Sequence, residues 1–355
     1  MPWGWGGVDL FFVLSGFLIT GILVDSADDP HRFRNFYVRR TLRIFPLYYA
    51  VAAVAIFSLP LFHWQIGWKW MVWPAYLGNW ARFNPLLPGS AAELLADCIL
   101  IGKWHATHIT LYFGHFWTLC VEEQFYLCWP AVVFFLRDRR KLAWICTASV
   151  PLSFALRVAG GRMLPDYLLQ KDILSRLTIF RLDALLLGGL CALLLRSGAR
   201  DTVLLWSRRC LAVFLPVALI WSFVLPPRGG NWYRYPYPNW VETLGFSLLD
   251  VLAALLVLTA IQPNHWLYTF WSHRIPRWMG RLSYGAYIFH DIPHHFFDII
   301  TRRFLHNSLF AELLLAWTYT FGLAWLSFRF FETPFLNLKD RFTVKAATAP
   351  LSATR

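Results

Sequence analysis

The stretch GVDLFFVLSGFLIT, from Gly7 to Thr20, decides the fold class because it is apolar almost throughout. The apolar run extends from about residue 8 to residue 24, and a helix needs roughly 20 apolar residues to cross a bilayer. The stretch lacks the basic start and the small-residue cleavage site of a secretory signal. We therefore expect a membrane-spanning helix that carries one carboxylate, Asp9, near its outer end.

The composition indicates a polytopic membrane protein. Of the 355 residues, 57% are hydrophobic and only 15% are charged, whereas soluble domains are about 25% charged. The net charge of +13 is typical of basic loops that stay in the cytoplasm, so we expect no nucleic-acid partner. The six cysteines are scattered and form no CxxC pair, so we predict no metal site and no disulfide framework.

Further apolar runs of spanning length follow the first. Together they give nine predicted spans, at residues 8–24, 46–62, 116–136, 142–158, 177–195, 210–226, 244–261, 282–300 and 309–331. The Trp-rich stretch 68–80 is shorter and is interrupted by Pro74, so we interpret it as interfacial or re-entrant.

The basic loops predict the orientation of these spans. Placing residues 25–45 in the cytoplasm puts most Lys and Arg inside. Nine spans that end inside must begin outside, yet residues 1–7 carry neither a charge nor an export signal. We therefore expect a preceding helix, so that residues 1–341 form nine spans of a ten-span, all-α bundle that is truncated at its N-terminus. Residues 342–355 are predicted to be a disordered tail.

Charged side chains are costly within a span, so they usually face a cavity or pair with one another. Four polar residues cluster in the segment HFWTLCVEEQFYLCWP: His115, Glu122, Gln124 and Tyr126. Glu122 and Glu123 cannot point the same way from one helix, so we expect one of them to line a polar cavity. The alternative is a salt bridge between helices, with Arg181 as the partner.

Two arginines in FYVRRTLRIFPLYY share one helix face, because Arg40 and Arg43 are three residues apart. Guanidinium groups at the cytoplasmic end of a span suit phosphate oxygens. The alternative is an ordinary basic anchor at the membrane surface.

A polar stripe follows in RLSYGAYIFHDI, where Ser283, Tyr287 and His290 lie on one helix face. Such a stripe either lines a polar cavity or forms hydrogen bonds between helices. Two smaller features have plain interpretations. Arg181 and Asp183 are expected to pair with each other, and Glu332 is expected to be a capping or interfacial carboxylate at the end of the last span.

These motifs together resemble the acyltransferase 3 family of integral membrane acyltransferases. The resemblance rests on GVDLFFVLSGFLIT, FYVRRTLRIFPLYY, HFWTLCVEEQFYLCWP, FRLDALLLGG, GRLSYGAYIFHDI and FFETP, which occur in the family order. It implies transfer of an acyl group, often acetyl from acetyl-CoA, to a hydroxyl of a glycan such as lipopolysaccharide or another acceptor at the membrane.

The resemblance also implies roles for residues of this chain. Arg40 and Arg43 match the cytoplasmic Arg-x-x-Arg of the family and would bind acyl-CoA, the co-substrate, without any bound cofactor. The matching catalytic residues would be Glu122, Gln124 and His290. By match, the acceptor path would include Ser283, Tyr284 and Tyr287, and we expect the polar residues Asp9, His115 and Tyr126 to lie on it as well. The family pattern also opens with a first helix that carries a His regarded as essential. That His has no counterpart in this chain, because no His precedes His31.

The sequence thus predicts a multi-pass enzyme of a bacterial inner membrane, with membrane lipid, acyl-CoA and a glycan or lipid-linked sugar as partners. A transporter or flippase of a lipid-linked glycan is the alternative from another class, since it would use the same polar cavity without chemistry. A further alternative is an inactive fragment of the acyltransferase.

Overall fold

The computed structural model describes residues 6–58, 73–79, 100–101, 111–112, 114–163, 173–224, 241–292, 297 and 308–339. These residues are mainly helical. The exception in regular structure is a two-residue antiparallel pair, β1 (Leu100–Ile101) and β2 (Leu111–Tyr112). The expected all-α class is therefore confirmed for the described part of the chain.

The described α-helices are α1 (Gly6–Asp25), α2 (Arg32–Ser58), α3 (Trp117–Leu136), α4 (Arg139–Met163), α5 (Leu182–Leu194), α6 (Arg200–Val224), α7 (Phe246–Ala260), α8 (Trp266–Ser272), α9 (Arg274–Phe289), α10 (Leu309–Leu326) and α11 (Thr333–Lys339). Short 3₁₀ turns precede α3 and α5, at Gly114–Phe116 and Thr178–Phe180. Single π-helical segments precede α7 and α11, at Val241–Gly245 and Ser327–Glu332.

Six of these helical segments are long and apolar enough to cross a membrane: Gly6–Asp25, Trp117–Leu136, Arg139–Met163, Arg200–Leu219, Thr243–Ala260 and Leu309–Leu338. Each overlaps a predicted span, so a multi-pass membrane protein is confirmed. The predicted span 177–195 corresponds to a shorter apolar helix of 13 residues, α5. The spans predicted at 46–62 and 282–300 extend beyond the described parts of α2 and α9.

The count of nine spans and the preceding helix therefore stay predictions. The predicted tail 342–355 lies outside the described residues, as do residues 68–72 and 80 of the stretch 68–80. Within that stretch, residues 73–79 form turns, and Trp73 and Tyr76 are buried.

The chain forms two compact units. The described residues of the first lie within Met1–Val24, Met71–Ile99 and Gly114–Arg281, and those of the second lie within Asp25–Trp70, Leu100–Phe113 and Leu282–Arg355.

In the first unit, the backbones of α1 and α5 are in direct contact. A Cβ atom at Gly16 would fall on the carbonyl of Leu185, and one at Gly188 would fall on the carbonyl of Val13. Small residues allow this close approach, which is a common way for helices to pack within membranes. The contact fixes the position of α1, the helix that carries Asp9 and Ser15.

The second unit packs the C-terminal helices against α2. The Tyr284 hydroxyl donates a hydrogen bond of 2.6 Å to the carbonyl of Ile44, and α11 contacts α2. A Cβ atom at Gly285 would lie 3.2 Å from the Cα atom of Ala324. These contacts hold the segment that contains Arg40 and Arg43.

Candidate functional site

A buried polar chain joins α1 to α3 in the first unit. Glu122 and Tyr126 are four residues apart on α3, so they share one face. The Tyr126 hydroxyl donates to Glu122 Oε1 over 2.7 Å and also contacts the Ser15 hydroxyl on α1. All three residues are buried. We call this arrangement the Ser15–Tyr126–Glu122 chain.

The direction of the protons in this chain follows from the chemistry of its groups. A tyrosine hydroxyl has one proton, and an ionised carboxylate only accepts hydrogen bonds. Because Tyr126 donates to Glu122, it can only accept from Ser15. The Ser15–Tyr126–Glu122 chain is therefore polarised from the serine hydroxyl towards the carboxylate. Sequence reasoning selected Tyr126 and Glu122 but not Ser15, which lies in GVDLFFVLSGFLIT.

Gln124 lies on a different face of α3 from Glu122. Its Nε2 atom donates to Asn79 Oδ1 over 2.8 Å and to the Tyr76 carbonyl over 2.9 Å. Its Oε1 atom accepts from the Thr178 hydroxyl. These bonds attach α3 to the turn at residues 73–79 and to the start of α5. The structure thus separates Gln124 from Glu122, and its catalytic role stays a prediction.

His115 lies in the 3₁₀ turn before α3, about two helical turns ahead of Glu122. Its side chain is buried, and its ring contacts Phe116 edge-on, with ring centroids 4.7 Å apart. Its backbone carbonyl accepts a hydrogen bond from the Thr118 hydroxyl. These contacts stabilise the start of α3, and the acceptor-path role of His115 stays a prediction.

The ion pairs of the first unit differ from the expected ones. Arg181 contacts the Asp9 carboxylate of α1, whereas Asp183 pairs with Arg157 of α4 at 2.7 Å. The predicted Arg181–Asp183 pair is therefore wrong, and Arg181 is not the partner of Glu122. Arg181 and Asp183 lie on either side of Leu182, so their side chains point to different helices. Asp9, which was predicted to lie on the acceptor path, forms an ion pair with Arg181.

Arg157 is a buried residue that sequence reasoning missed. Its guanidinium bonds to the Asp183 carboxylate, the Ser247 hydroxyl at 2.6 Å and the Phe180 carbonyl at 2.5 Å. Asp250, on α7, was missed as well, and it is also fully buried. The usable signal was a single charge within each apolar run, since charges inside spans are rarely incidental.

Arg40 and Arg43 lie one turn apart on α2 in the second unit, as their spacing predicts. Arg43 is exposed and Arg40 is half-buried. The buried carboxylate of Glu332 accepts a hydrogen bond from the Ser327 hydroxyl over 2.8 Å and interacts electrostatically with Arg43. Glu332 was expected to be a capping or interfacial carboxylate at the end of the last span, and it lies at the end of the π-helical segment before α11. The phosphate role of the two arginines stays a prediction.

Two residues of the predicted polar stripe, Tyr287 and His290, contact each other in the second unit. His290 follows the end of α9, and its Nδ1 atom lies 2.7 Å from the Tyr287 carbonyl. The rings of Tyr287 and His290 are 5.2 Å apart, whereas Ser283 is exposed on α9. Among the described residues, no group of three His, Cys, Asp or Glu side chains is arranged to hold a metal ion.

Asp29 secures the start of α2. Its carboxylate accepts hydrogen bonds of 2.8 Å from the His31 backbone N–H and from the Asn35 amide. The pKa of Asp29 is lowered, chiefly because the His31 N–H stabilises the charged carboxylate.

Comparison with known proteins places this geometry in context. A family model described as an acyltransferase domain matches residues 3–329. The peptidoglycan O-acetyltransferase OatA of Listeria monocytogenes is 27% identical over 354 residues, which cover 93% of this chain and 51% of that protein. A putative peptidoglycan O-acetyltransferase of Bacillus subtilis, YrhL, is 27% identical over 93% of this chain and 50% of its own length.

A putative O-acetyltransferase of Staphylococcus aureus is 26% identical over 94% of this chain and 52% of that protein. The chain thus spans about half the length of the curated relatives it matches. No solved structure matches it significantly. Because the family match covers nearly the whole chain, the resemblance inferred from the motifs is confirmed: the chain belongs to the acyltransferase 3 family.

Proposed function

We propose that this chain transfers an acetyl group from acetyl-CoA to a hydroxyl of a cell-envelope glycan, with peptidoglycan as the favoured acceptor. The family membership and the names of the similar O-acetyltransferases support acyl transfer. The observation that carries the proposal is the buried Ser15–Tyr126–Glu122 chain. An ionisable group within a span costs about 2.5–3.5 kcal/mol on insertion scales, so its presence usually reflects function.

The reaction requires that a hydroxyl lose its proton as it attacks. The acceptor oxygen bonds to the thioester carbonyl carbon, the carbon–sulfur bond breaks, and CoA leaves as a thiolate that takes up a proton. A positioned acid–base group contributes about 10²–10⁴-fold to such a step. The Ser15–Tyr126–Glu122 chain is polarised so that a proton received at Ser15 passes by way of Tyr126 towards Glu122. The products are an acetyl ester and free CoA.

The second unit supplies the residues proposed for the donor. Arg40 and Arg43 present guanidinium groups on one face of α2, and Arg43 is exposed. Planar guanidinium groups pair with phosphate oxygens in a bidentate manner, which fits the phosphates of CoA. The nearby Glu332 carboxylate partly offsets the charge of Arg43.

The experiment is an acetyl-transfer assay on the purified protein in lipid nanodiscs. Glu122→Gln removes the terminal proton acceptor while it keeps the side-chain shape, so kcat should fall by about 10²-fold or more. Glu123→Gln, one residue along, is the matched control and should retain activity. The proposal is wrong if Glu122→Gln and Glu123→Gln have equal effects on kcat.

Donor binding has its own test. The double variant Arg40→Ala plus Arg43→Ala should raise the KM for acetyl-CoA, because two charge-assisted contacts to phosphate are lost. Replacing both arginines by Lys should restore part of the affinity, since the positive charge is kept. An unchanged KM in the alanine variant would refute the phosphate role and leave the proton-transfer proposal standing.

A further inference from the structure

A buried charge cluster outside the proposed reaction joins four elements of the first unit. It contains three carboxylates and two guanidinium groups: Asp9 of α1, Arg157 of α4, Arg181 and Asp183 at the start of α5, and Asp250 of α7. Each of these residues is at most 1% exposed. Ionisable groups buried this deeply are stable only when their charges are compensated.

Two ion pairs use both arginines and leave one carboxylate over. Arg181 is paired with Asp9, and Arg157 is paired with Asp183. Asp250 completes no such pair. Within the described part of the chain, neither of its carboxylate oxygens has a hydrogen-bond donor, and the same holds for Asp9 Oδ2.

The carboxyl groups of Asp250 and Asp9 are neighbours that interact electrostatically. Two ionised carboxylates only accept hydrogen bonds, so neighbouring carboxylates repel each other. If one of the two is protonated, it can donate a hydrogen bond to the other. Three carboxylates and two arginines also leave one negative charge in excess. One proton removes the excess negative charge and supplies a hydrogen-bond donor between Asp250 and Asp9 Oδ2.

We propose that the Asp9–Asp250 pair is a proton-binding site, in which a single proton is shared between the two carboxyl groups. The charged groups that face this site are the guanidinium of Arg181 and the carboxylate of Asp183, with Arg157 behind Asp183. Arg181 already occupies one side of Asp9 and would repel a metal cation placed beside it, whereas a shared proton adds no separate ion. This inference does not depend on the proposed function.

The proton gives Asp250 a role in holding α1. With it, Asp250 of α7 is joined to Asp9 of α1 by a hydrogen bond. Without it, two like charges would be in contact in the interior of the unit. The shared proton therefore ties α7 to the same helix that carries Ser15.

The experiment compares two substitutions that each remove one carboxylate. Asp250→Asn keeps the shape and places an amide N–H where the proton lay, so it should still donate to Asp9. Asp183→Asn instead removes the charged partner of Arg157. We expect the folded yield of Asp250→Asn to stay within about twofold of the wild type, and that of Asp183→Asn to fall much further.

Infrared spectroscopy supplies an independent readout. A protonated carboxyl group has a C=O stretching band that an ionised carboxylate lacks. The spectrum of the wild type minus that of Asp250→Asn should contain this band.

Three results would overturn the proposal. The first is a difference spectrum without the protonated-carboxyl band. The second is a loss of folded protein in Asp250→Asn as large as that in Asp183→Asn. The third is a thermal stability that rises with Na⁺ or K⁺ in the wild type but not in Asp250→Asn, because this would show that a metal cation supplies the compensating charge.

Discussion

Replacing Arg157 by Met tests how strongly the buried charges hold the first unit. The guanidinium of Arg157 bonds to the Asp183 carboxylate, to the Ser247 hydroxyl and to two backbone carbonyls. Methionine fills much of the same volume but leaves Asp183 as a buried carboxylate without its cation. Removing one partner of a buried pair typically costs about 3–5 kcal/mol. Since domains are stable by only about 5–15 kcal/mol, this loss is a large share of the total.

The assay is a denaturant titration of the protein in detergent micelles, in which the fluorescence of its 20 tryptophans monitors unfolding. Arg139→Met is the matched control, because Arg139 is exposed and only reaches the Arg196 carbonyl at 3.4 Å; its effect should stay within about 0.5 kcal/mol. Adding Asp183→Leu to Arg157→Met should regain much of the stability, since an apolar pair often replaces a buried ion pair at little cost. A loss below about 1 kcal/mol for Arg157→Met would refute the reasoning.

Three further predictions concern packing, hydrogen bonding and pH. Gly188→Ala should destabilise the first unit, because its Cβ would fall on the backbone of α1, whereas Gly198→Ala meets open space and should be neutral or stabilising in thermal unfolding. Gln124→Ala should cost about 1–3 kcal/mol in the same assay, because the buried Asn79 Oδ1 atom loses the donor that Gln124 provides. Because the pKa of Asp29 is lowered in the folded protein, its stabilising effect is present above the ordinary carboxyl pKa of about 4 and is lost as the pH falls below it. Asp29→Asn should remove this part of the pH dependence.

Each of these predictions has a contradicting outcome. Equal melting temperatures for the Gly188 and Gly198 variants would show that α1 and α5 do not touch. An unchanged stability of Gln124→Ala would mean that water replaces the amide contacts. An acid-induced loss of stability that is identical in Asp29→Asn and the wild type would exclude Asp29 as its source.

Hydrophobic patterning was enough to locate six helical segments that are long and apolar enough to cross a membrane. The predicted span 116–136 corresponds to α3 at Trp117–Leu136, and the predicted span 8–24 corresponds to α1 at Gly6–Asp25. The expectation that Glu122 and Glu123 point differently also holds, since Glu122 is buried and Glu123 is only half-buried. These features depend on local periodicity, which one sequence displays directly.

The partners of the buried charges could not be predicted in the same way. Arg181 pairs with Asp9, which is 172 residues away in the sequence, and not with Asp183, which is two residues away. The ion-pair partner of each side chain depends on which helices are neighbours and on which side of α5 the side chain leaves the backbone. The polar contact of Ser15 with Tyr126 has the same origin, because it requires α1 to lie against α3.

The most direct test of the proposed acyl transfer is its stoichiometry. The protein in nanodiscs is incubated with radiolabelled acetyl-CoA and soluble peptidoglycan fragments, and free CoA thiol and acetyl ester are measured in the same sample. The account predicts that one thiol appears for each ester formed, and that both fall together in Glu122→Gln but not in Glu123→Gln. Movement of a lipid-linked glycan across a membrane without thiol release would contradict acyl transfer and favour a transporter.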